Sequence, residues 1–254
     1  MRLYAIIAVV FALQFGGAAP DVLPAAATVK LFESLKAAAA HPKHVWRDTP
    51  PFDLSRRSSP AGSRAEADLS RRSSPTSSRA KADGALLNAY IEIPRGDRRK
   101  YEFNMARNAP ALDRTIPEKI GGYPVNYGIV PQTISYDGDP FDVLVLGPAI
   151  PTGQLVKGAI VGIMHMEDET GLDSKVVISR VGADGKPTHQ LTGADLKRMA
   201  DYFNRYKSDD DDPRTFATVT GWGTAADGLS FVQMTHAFFT DCRERAGASC
   251  HVMR

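Results

Sequence analysis

Cysteine is scarce in this chain: two in 254 residues, Cys242 and Cys250. Two thiols at that spacing do not complete a zinc site. Histidine offers no metal site either. His41, His44, His165, His189, His236 and His251 are scattered, and no pair has ligand spacing on a core element. The one close pair, His41 and His44, lies in an N-terminal region that reads as flexible, and His236 reads as an ordinary core or surface histidine. No Ser–His or Cys–His constellation supplies a covalent nucleophile. Charge of one sign is not in excess, since the formal net is +2. Residues 53–82 hold seven basic and three acidic side chains, a net of +4, so the rest of the chain is at −2. The basic balance therefore comes from one segment and says little about the core's ligand.

Long apolar runs are missing too, apart from the start, MRLYAIIAVVFALQFGGAAP. Arg2 is followed by 13 apolar-rich positions, 3–15, and then by small residues. That pattern predicts a secretory signal peptide, cleaved near Ala19 or near Ala25, Ala26 and Ala27. The run is shorter than the roughly 20 residues a spanning helix needs. No later segment can cross a bilayer, and no cysteine follows the run to carry a lipid anchor. The expectation is an exported protein, periplasmic or secreted, with no membrane span once mature. In an oxidising compartment the even cysteine count favours a disulfide.

Four regions follow: a signal peptide at 1–27, an amphipathic helix and connector at 28–52, a linker at 53–83, and a folded domain at 84–254. The linker is a tandem repeat, DLSRRSSPAGSRAEA then DLSRRSSPTSSRAKA, with twelve of fifteen positions identical. It has too little apolar surface to offset the entropy of ordering and reads as a disordered spacer. In front of it, TVKLFESLKAAAAH has helical periodicity, and HVWRDTPPF reads as an extended, proline-broken connector.

In the folded domain LLNAYIEIP, RRKYEFN, DVLVLG, QLVKGAIVGIMHM, SKVVISRV and TFATVTGW have strand character. Leu196, Met199, Ala200, Phe203 and Tyr206 share one helical face, opened by a Thr192–Asp195 capping box. A last helix begins near Thr224, with Asp227 three residues on. The order predicts an α+β fold with a closed or strongly curved sheet.

DGDPFDVLVL, 137–146, sets three carboxylates in six positions ahead of a strand. An EF-hand loop fails: the fifth position is Phe141, the sixth Asp142 and the twelfth Pro148. Nothing resembles the sugar platform of a glycosidase. A hard divalent cation suits the oxygens, magnesium above all. Nearby motifs add Glu92, Lys100, Glu102, Arg114, Tyr127, Asp168, Asp173, Lys175, Tyr206 and Lys207. Acids alone suit bare metal, whereas acids mixed with Arg, Lys and Tyr suit a metal-bound phosphate.

These pieces, IEIP, KYEF, DR before YPVNYGIVPQT, DGDPFDVLVL, DETGLDSK, and YK before GW, resemble the family I soluble inorganic pyrophosphatases in content and order. The resemblance implies a five-stranded OB-type β-barrel flanked by α-helices and Mg-dependent hydrolysis of pyrophosphate to two phosphates. It implies several Mg2+ ions, with Mn2+ or Zn2+ as possible substitutes, and a homo-oligomer. Carried over by position, Asp137, Asp142 and Asp173 are ligands of the first metal, Asp142 bridging to the second. Asp168 with Asp173 holds metals arriving with substrate, and Glu92 and Glu102 act through metal-bound water. Asp139 is the general base. Lys100, Arg114, Lys175, Tyr206 and Lys207 grip phosphate oxygens, and Tyr127 places water and phosphate.

Two departures stand out. The spacing from Arg114 to Tyr127 is one residue longer than in the common bacterial form. SDDDDPRTF follows Lys207 where many members carry lysines, and its acids read as a solvated loop. A polyanion-binding OB module is the alternative from another class. Its binding face would be basic and aromatic, so the carboxylates argue against nucleic acid. A catalytically dead metal-binding relative is a third option; every expected position is filled.

Overall fold

The computed structural model of the chain describes residues 23–53, 86–208 and 214–244. The expected signal peptide's apolar run, nearly all of the tandem repeat and acidic residues 209–212 lie outside the described residues.

Two helices and a short strand come first: α1 (Ala25–Ala39), α2 (Val45–Asp48) and β1 (Phe52–Asp53). Strands follow: β2 (Leu86–Ile93), β3 (Arg99–Asn104), β4 (Ala109–Thr115), β5 (Asn126–Ile129), β6 (Asp142–Leu146), β7 (Leu155–Asp168), β8 (Gly171–Leu172) and β9 (Lys175–Arg180). Helix α3 (Gly193–Phe203), strand β10 (Ala217–Gly223) and helix α4 (Ala225–Glu244) complete the described chain.

Five of these strands form a ring. Strand β2 pairs antiparallel with β5, and β5 with β6. Strand β6 runs parallel to β9, β9 pairs antiparallel with β7, and β7 returns to β2. Strands β1, β8 and β10 extend the sheet at β2 and β7, and β3 with β4 makes a separate hairpin. The α+β class and the strand number match the expectation from sequence.

Strands β6 and β9 read as near-continuous apolar runs because both of their faces are covered. Along β6, Val143 and Val145 join one core with Ile91, Val176, Ile178 and Val232 of α4. The alternate residues Leu144 and Leu146 join another with Val177 and with Met199, Tyr202 and Phe203 of α3. Helix α3 carries the expected box: Thr192 Oγ1 accepts from Asp195 N, and the Asp195 carboxylate accepts from Thr192 N. Thr224 and Asp227 bond likewise at the start of α4.

The N-terminal region departs from the expectation. The stretch read as an extended connector contains α2, and the histidines read as flexible are anchored. His41 Nε2 donates to Ala106 O at 2.8 Å, and His44 Nε2 to Met105 O at 3.0 Å. Trp46 is fully buried, donates to Thr133 O at 3.0 Å, and packs edge-on against Phe239 of α4. A buried indole with its N–H satisfied outweighs the local extended preference of a proline-flanked stretch. Leu23, Ala27 and Leu31 complete this third core, together with Cys242, which is disulfide-bonded. Cys250 lies outside the described residues.

Candidate active site

The parallel pairing of β6 and β9 sets the centre of the site. Its register, Val143 beside Val176 and Leu144 beside Val177, brings the first residues of the two strands together. Those residues are Asp142 and Lys175. Lys175 Nζ donates to Asp142 Oδ2 at 2.6 Å and to Asp173 Oδ1 at 2.8 Å, with only 1% of its side chain exposed. The Tyr127 hydroxyl, from β5, donates to the same Asp142 oxygen. The Lys175 ammonium also lies over the rings of Tyr127 and Phe203, 5.5 and 5.9 Å from their centroids.

The electrostatics follow from burial and crowding. Burial lowers the affinity of Lys175 for its proton, but Asp142 and Asp173 reverse this and leave the ammonium firmly charged. Burial pushes Asp173 up to about 7, despite Lys175 beside it, with Asp142 adding repulsion. Burial and the Asp139 charge push Asp137 up to about 6. Glu92, enclosed on β2, is raised well above the usual range by burial and then by Asp142. Asp168, at the end of β7, goes the other way. Burial raises it, but Lys207 Nζ at 2.9 Å and the Thr170 hydroxyl and N–H lower it more.

The turn before β6 carries Asp137 and Asp139. Gly138 adopts φ +85°, open to glycine at no steric cost, and Asp137 Oδ1 accepts from Asp139 N at 2.9 Å. The β3–β4 hairpin supplies the other rim. Its register sets Lys100 opposite Arg114, and the two-residue period puts Lys100 and Glu102 on one face. Lys100 Nζ contacts Glu102 at 2.5 Å and Asp113 at 2.9 Å. Burial raises Glu92 and Asp139, and the Glu102 charge adds a smaller push to each. Arg114 reaches Tyr206 O at 3.5 Å, beyond the end of α3, and Tyr206 is raised by burial in spite of Lys175 nearby.

All the residues expected from sequence therefore gather in one place: Asp137, Asp139 and Asp142 from one turn and strand, Asp168, Asp173 and Lys175 from the β7–β9 end, Glu92 and Tyr127 from the ring, Lys100, Glu102 and Arg114 from the hairpin, and Tyr206 and Lys207 after α3. Among the described residues, no three carboxylate or imidazole groups converge on one point. Lysines engage the carboxylate oxygens instead: Lys175 on Asp142 and Asp173, Lys30 on Asp139, Lys207 on Asp168. Three contributors were missed by sequence reasoning. Asp113 holds Lys100, and Glu169 takes a 2.7 Å bond from Lys207. Both adjoin motif residues, which was the available signal. Lys30 of α1 had none.

Comparison with known proteins agrees with this geometry. The family model described as inorganic pyrophosphatase matches residues 89–240. An inorganic pyrophosphatase of Saccharolobus solfataricus is 33% identical over 148 residues, 56% of this chain and 84% of that protein. That of Gluconobacter oxydans is 35% identical over the same length and the same shares. The solved structure of an inorganic pyrophosphatase from Coxiella burnetii superposes with a TM-score of 0.56 at 35% identity, covering 61% of this chain and 95% of that one. The match spans every residue of the carboxylate and lysine network except Lys30, and the chain belongs to the inorganic pyrophosphatase family.

Proposed function

We propose that this chain is a Mg-dependent inorganic diphosphatase in which water attacks pyrophosphate directly and Asp139 takes its proton. Family membership implies hydrolysis of pyrophosphate to phosphate. One observation carries the mechanistic reading: anionic and cationic side chains interleave around a single centre, with Lys175 held between Asp142 and Asp173.

The donor set suits a hard dication. It is all oxygen, drawn from Asp137, Asp142, Asp168, Asp173, Glu92 and Glu102. Burial first, and then mutual repulsion, leaves Glu92, Asp137 and Asp173 above their ordinary range, so bound positive charge favours their ionised forms. Magnesium, when bound there, neutralises substrate charge and acidifies water.

The chain's own groups do the rest. Lys175, Lys207 and Lys100 are fixed by carboxylates and, with Arg114, present positive charge that needs no reorganisation as charge develops on the leaving phosphate. The Tyr127 hydroxyl keeps the Asp142 carboxylate oriented, and Tyr206 meets Arg114 through its backbone oxygen and Lys207 through its ring. Asp139 has about half its side chain exposed, 52%, so water can reach the carboxylate even with Lys30 on Oδ2. Bringing both reactants to fixed groups removes much of the entropic barrier.

The test is phosphate release from pyrophosphate with and without magnesium, by the wild-type chain and by Asp139→Asn. The variant should lose about 10²–10⁴-fold in kcat, the usual worth of a placed general base. Metal-independent release, or a fully active variant, would contradict the mechanism. We also propose export on the strength of the N-terminal apolar run, with recovery of phosphate from external pyrophosphate as its use. Finding the intact N-terminus on protein from the cytoplasm would remove that reading.

A further inference from the structure

We propose that Lys30, on a helix outside the matched pyrophosphatase region, is a positioning residue of the active site that holds the Asp139 carboxylate in place. The inference rests on Asp139 being the group that takes the proton from water.

Lys30 Nζ lies 2.5 Å from Asp139 Oδ2, across 109 residues of sequence. With the two side chains 47% and 52% exposed, an isolated pair of this kind would be worth little. This one is not free to drift, because the helix is locked at both sides of it. Ala27 and Leu31, one turn before and one residue after Lys30, are buried with Trp46 and Phe239. The helix also rests directly on the Asp137–Gly138–Asp139 turn. A Cβ at Gly138 would meet Ala27 Cα and Lys30 Cβ at 2.9 Å. Position 138 thus needs glycine for its positive φ and for the approach of α1.

The same N-terminal segment grips both rims of the site. Arg47 Nη1 donates to Ala38 O at 2.8 Å, tying the end of α1 to α2. Gln132 N donates to Trp46 O, and Gln132 Nε2 to Arg47 O, each at 2.8 Å, fixing the loop that leads into Asp137 and Asp139. On the other side His41, His44 and the Val45 N–H hold Met105, Ala106 and Asn108 at the tip of the hairpin bearing Lys100 and Glu102. Lys30 stands between, in the field of Asp139, Asp137 and Glu102. A base held by a fixed ammonium keeps one oxygen engaged and leaves the other to accept a proton.

The experiment compares kcat and KM of the full chain at saturating magnesium for wild type, Lys30→Met, Lys30→Arg, Asp139→Asn and the Lys30→Met/Asp139→Asn double variant. Methionine keeps the apolar stem over Gly138 and the helix fold, to be checked by an unchanged Tm. Lys30→Met should lose about tenfold in kcat with KM nearly constant, the scale of a modest misplacement of a reacting group. Lys30→Arg should recover most of it. Lys30→Met should cost nothing further once Asp139 is already Asn. A wild-type kcat in Lys30→Met alongside a crippled Asp139→Asn overturns the inference alone. A raised KM at unchanged kcat makes Lys30 a substrate contact, and a raised kcat makes it an inhibitory cap; either result also overturns it. Full activity in Asp139→Asn removes the base itself and the inference with it.

Discussion

Lys175 and Asp142 sit side by side at the start of two parallel strands, their charged atoms 2.6 Å apart and the lysine almost wholly enclosed. Removing one member of a buried pair leaves an uncompensated charge. Lys175→Met should destabilise the metal-free protein by about 3–5 kcal/mol. Chemical denaturation in a chelator measures this, and added magnesium should reduce the loss by supplying positive charge to Asp142 and Asp173. Equal stability of variant and wild type in chelator would show that the pair contributes nothing.

Metal-free stability should fall as pH rises through the weakly acidic range. Asp173 moves from 3.8 in the unfolded chain to about 7 when folded, and Asp137 to about 6. Across that window the folded state binds more protons than the unfolded state, so raising the pH favours unfolding. Asp168 acts oppositely, since its depressed carboxyl contributes stability that is lost only below the window. Melting curves in chelator should show Tm declining from about pH 4 to about pH 7, and magnesium should flatten or invert the slope. A chelated Tm that climbs over this range would contradict the assignment.

The repeat should be dispensable for catalysis. Asp53 pairs with Leu86 and Phe52 with Leu87, so the strands on either side of it are already neighbours. Replacing 54–85 by a short glycine-containing turn shortens the connection without breaking that ladder, and the length of a connection enters stability only weakly. Activity and Tm should stay within a factor of two and a few degrees, by the same weak dependence. Salt-sensitive nucleic-acid binding that vanished with the segment would instead favour the polyanion role.

If a signal peptide is removed, burial at the start of α1 is compatible with the earlier of the two cleavage regions suggested by sequence and not with the later. Leu23, two residues before α1, and Ala27, in its first turn, are both buried in the core. Cutting after Ala27 would remove both Leu23 and the first turn of the helix that carries Lys30. Mass spectrometry of exported protein should therefore find a mature N-terminus upstream of Leu23, near Ala19. A terminus at residue 28 would mean that α1 is remade or lost in the mature enzyme.

The site was legible in sequence where its chemistry is local. Asp137, Asp139 and Asp142 fall within six positions, and Lys100 with Glu102 within three. Strands β6 and β9 were legible because burial on both faces leaves continuous apolar runs. Strand β4 was not, since APALDRT contains a proline and is largely half-exposed; pairing with β3 holds it. Strand β5 has four residues, one of them Gly128, where a Cβ would strike Tyr90 O. Helix α2 owes its place to Thr133 and Phe239, far along the chain. Lys30 meets Asp139 only through tertiary packing, and no periodicity or motif marks it.

Two parallel neighbours cannot be joined by a tight turn. Here the connection from β6 to β9 runs through β7, the strand that also meets β2 and closes the ring. Asp142 consequently gains its ammonium neighbour only after the chain has been made as far as β9 and has folded back on itself. A nascent or still-translocating polypeptide carries its acids singly in water and cannot cleave anything. If the protein is threaded across a membrane unfolded, hydrolysis begins only on the far side, and the pyrophosphate of the compartment of synthesis is left untouched.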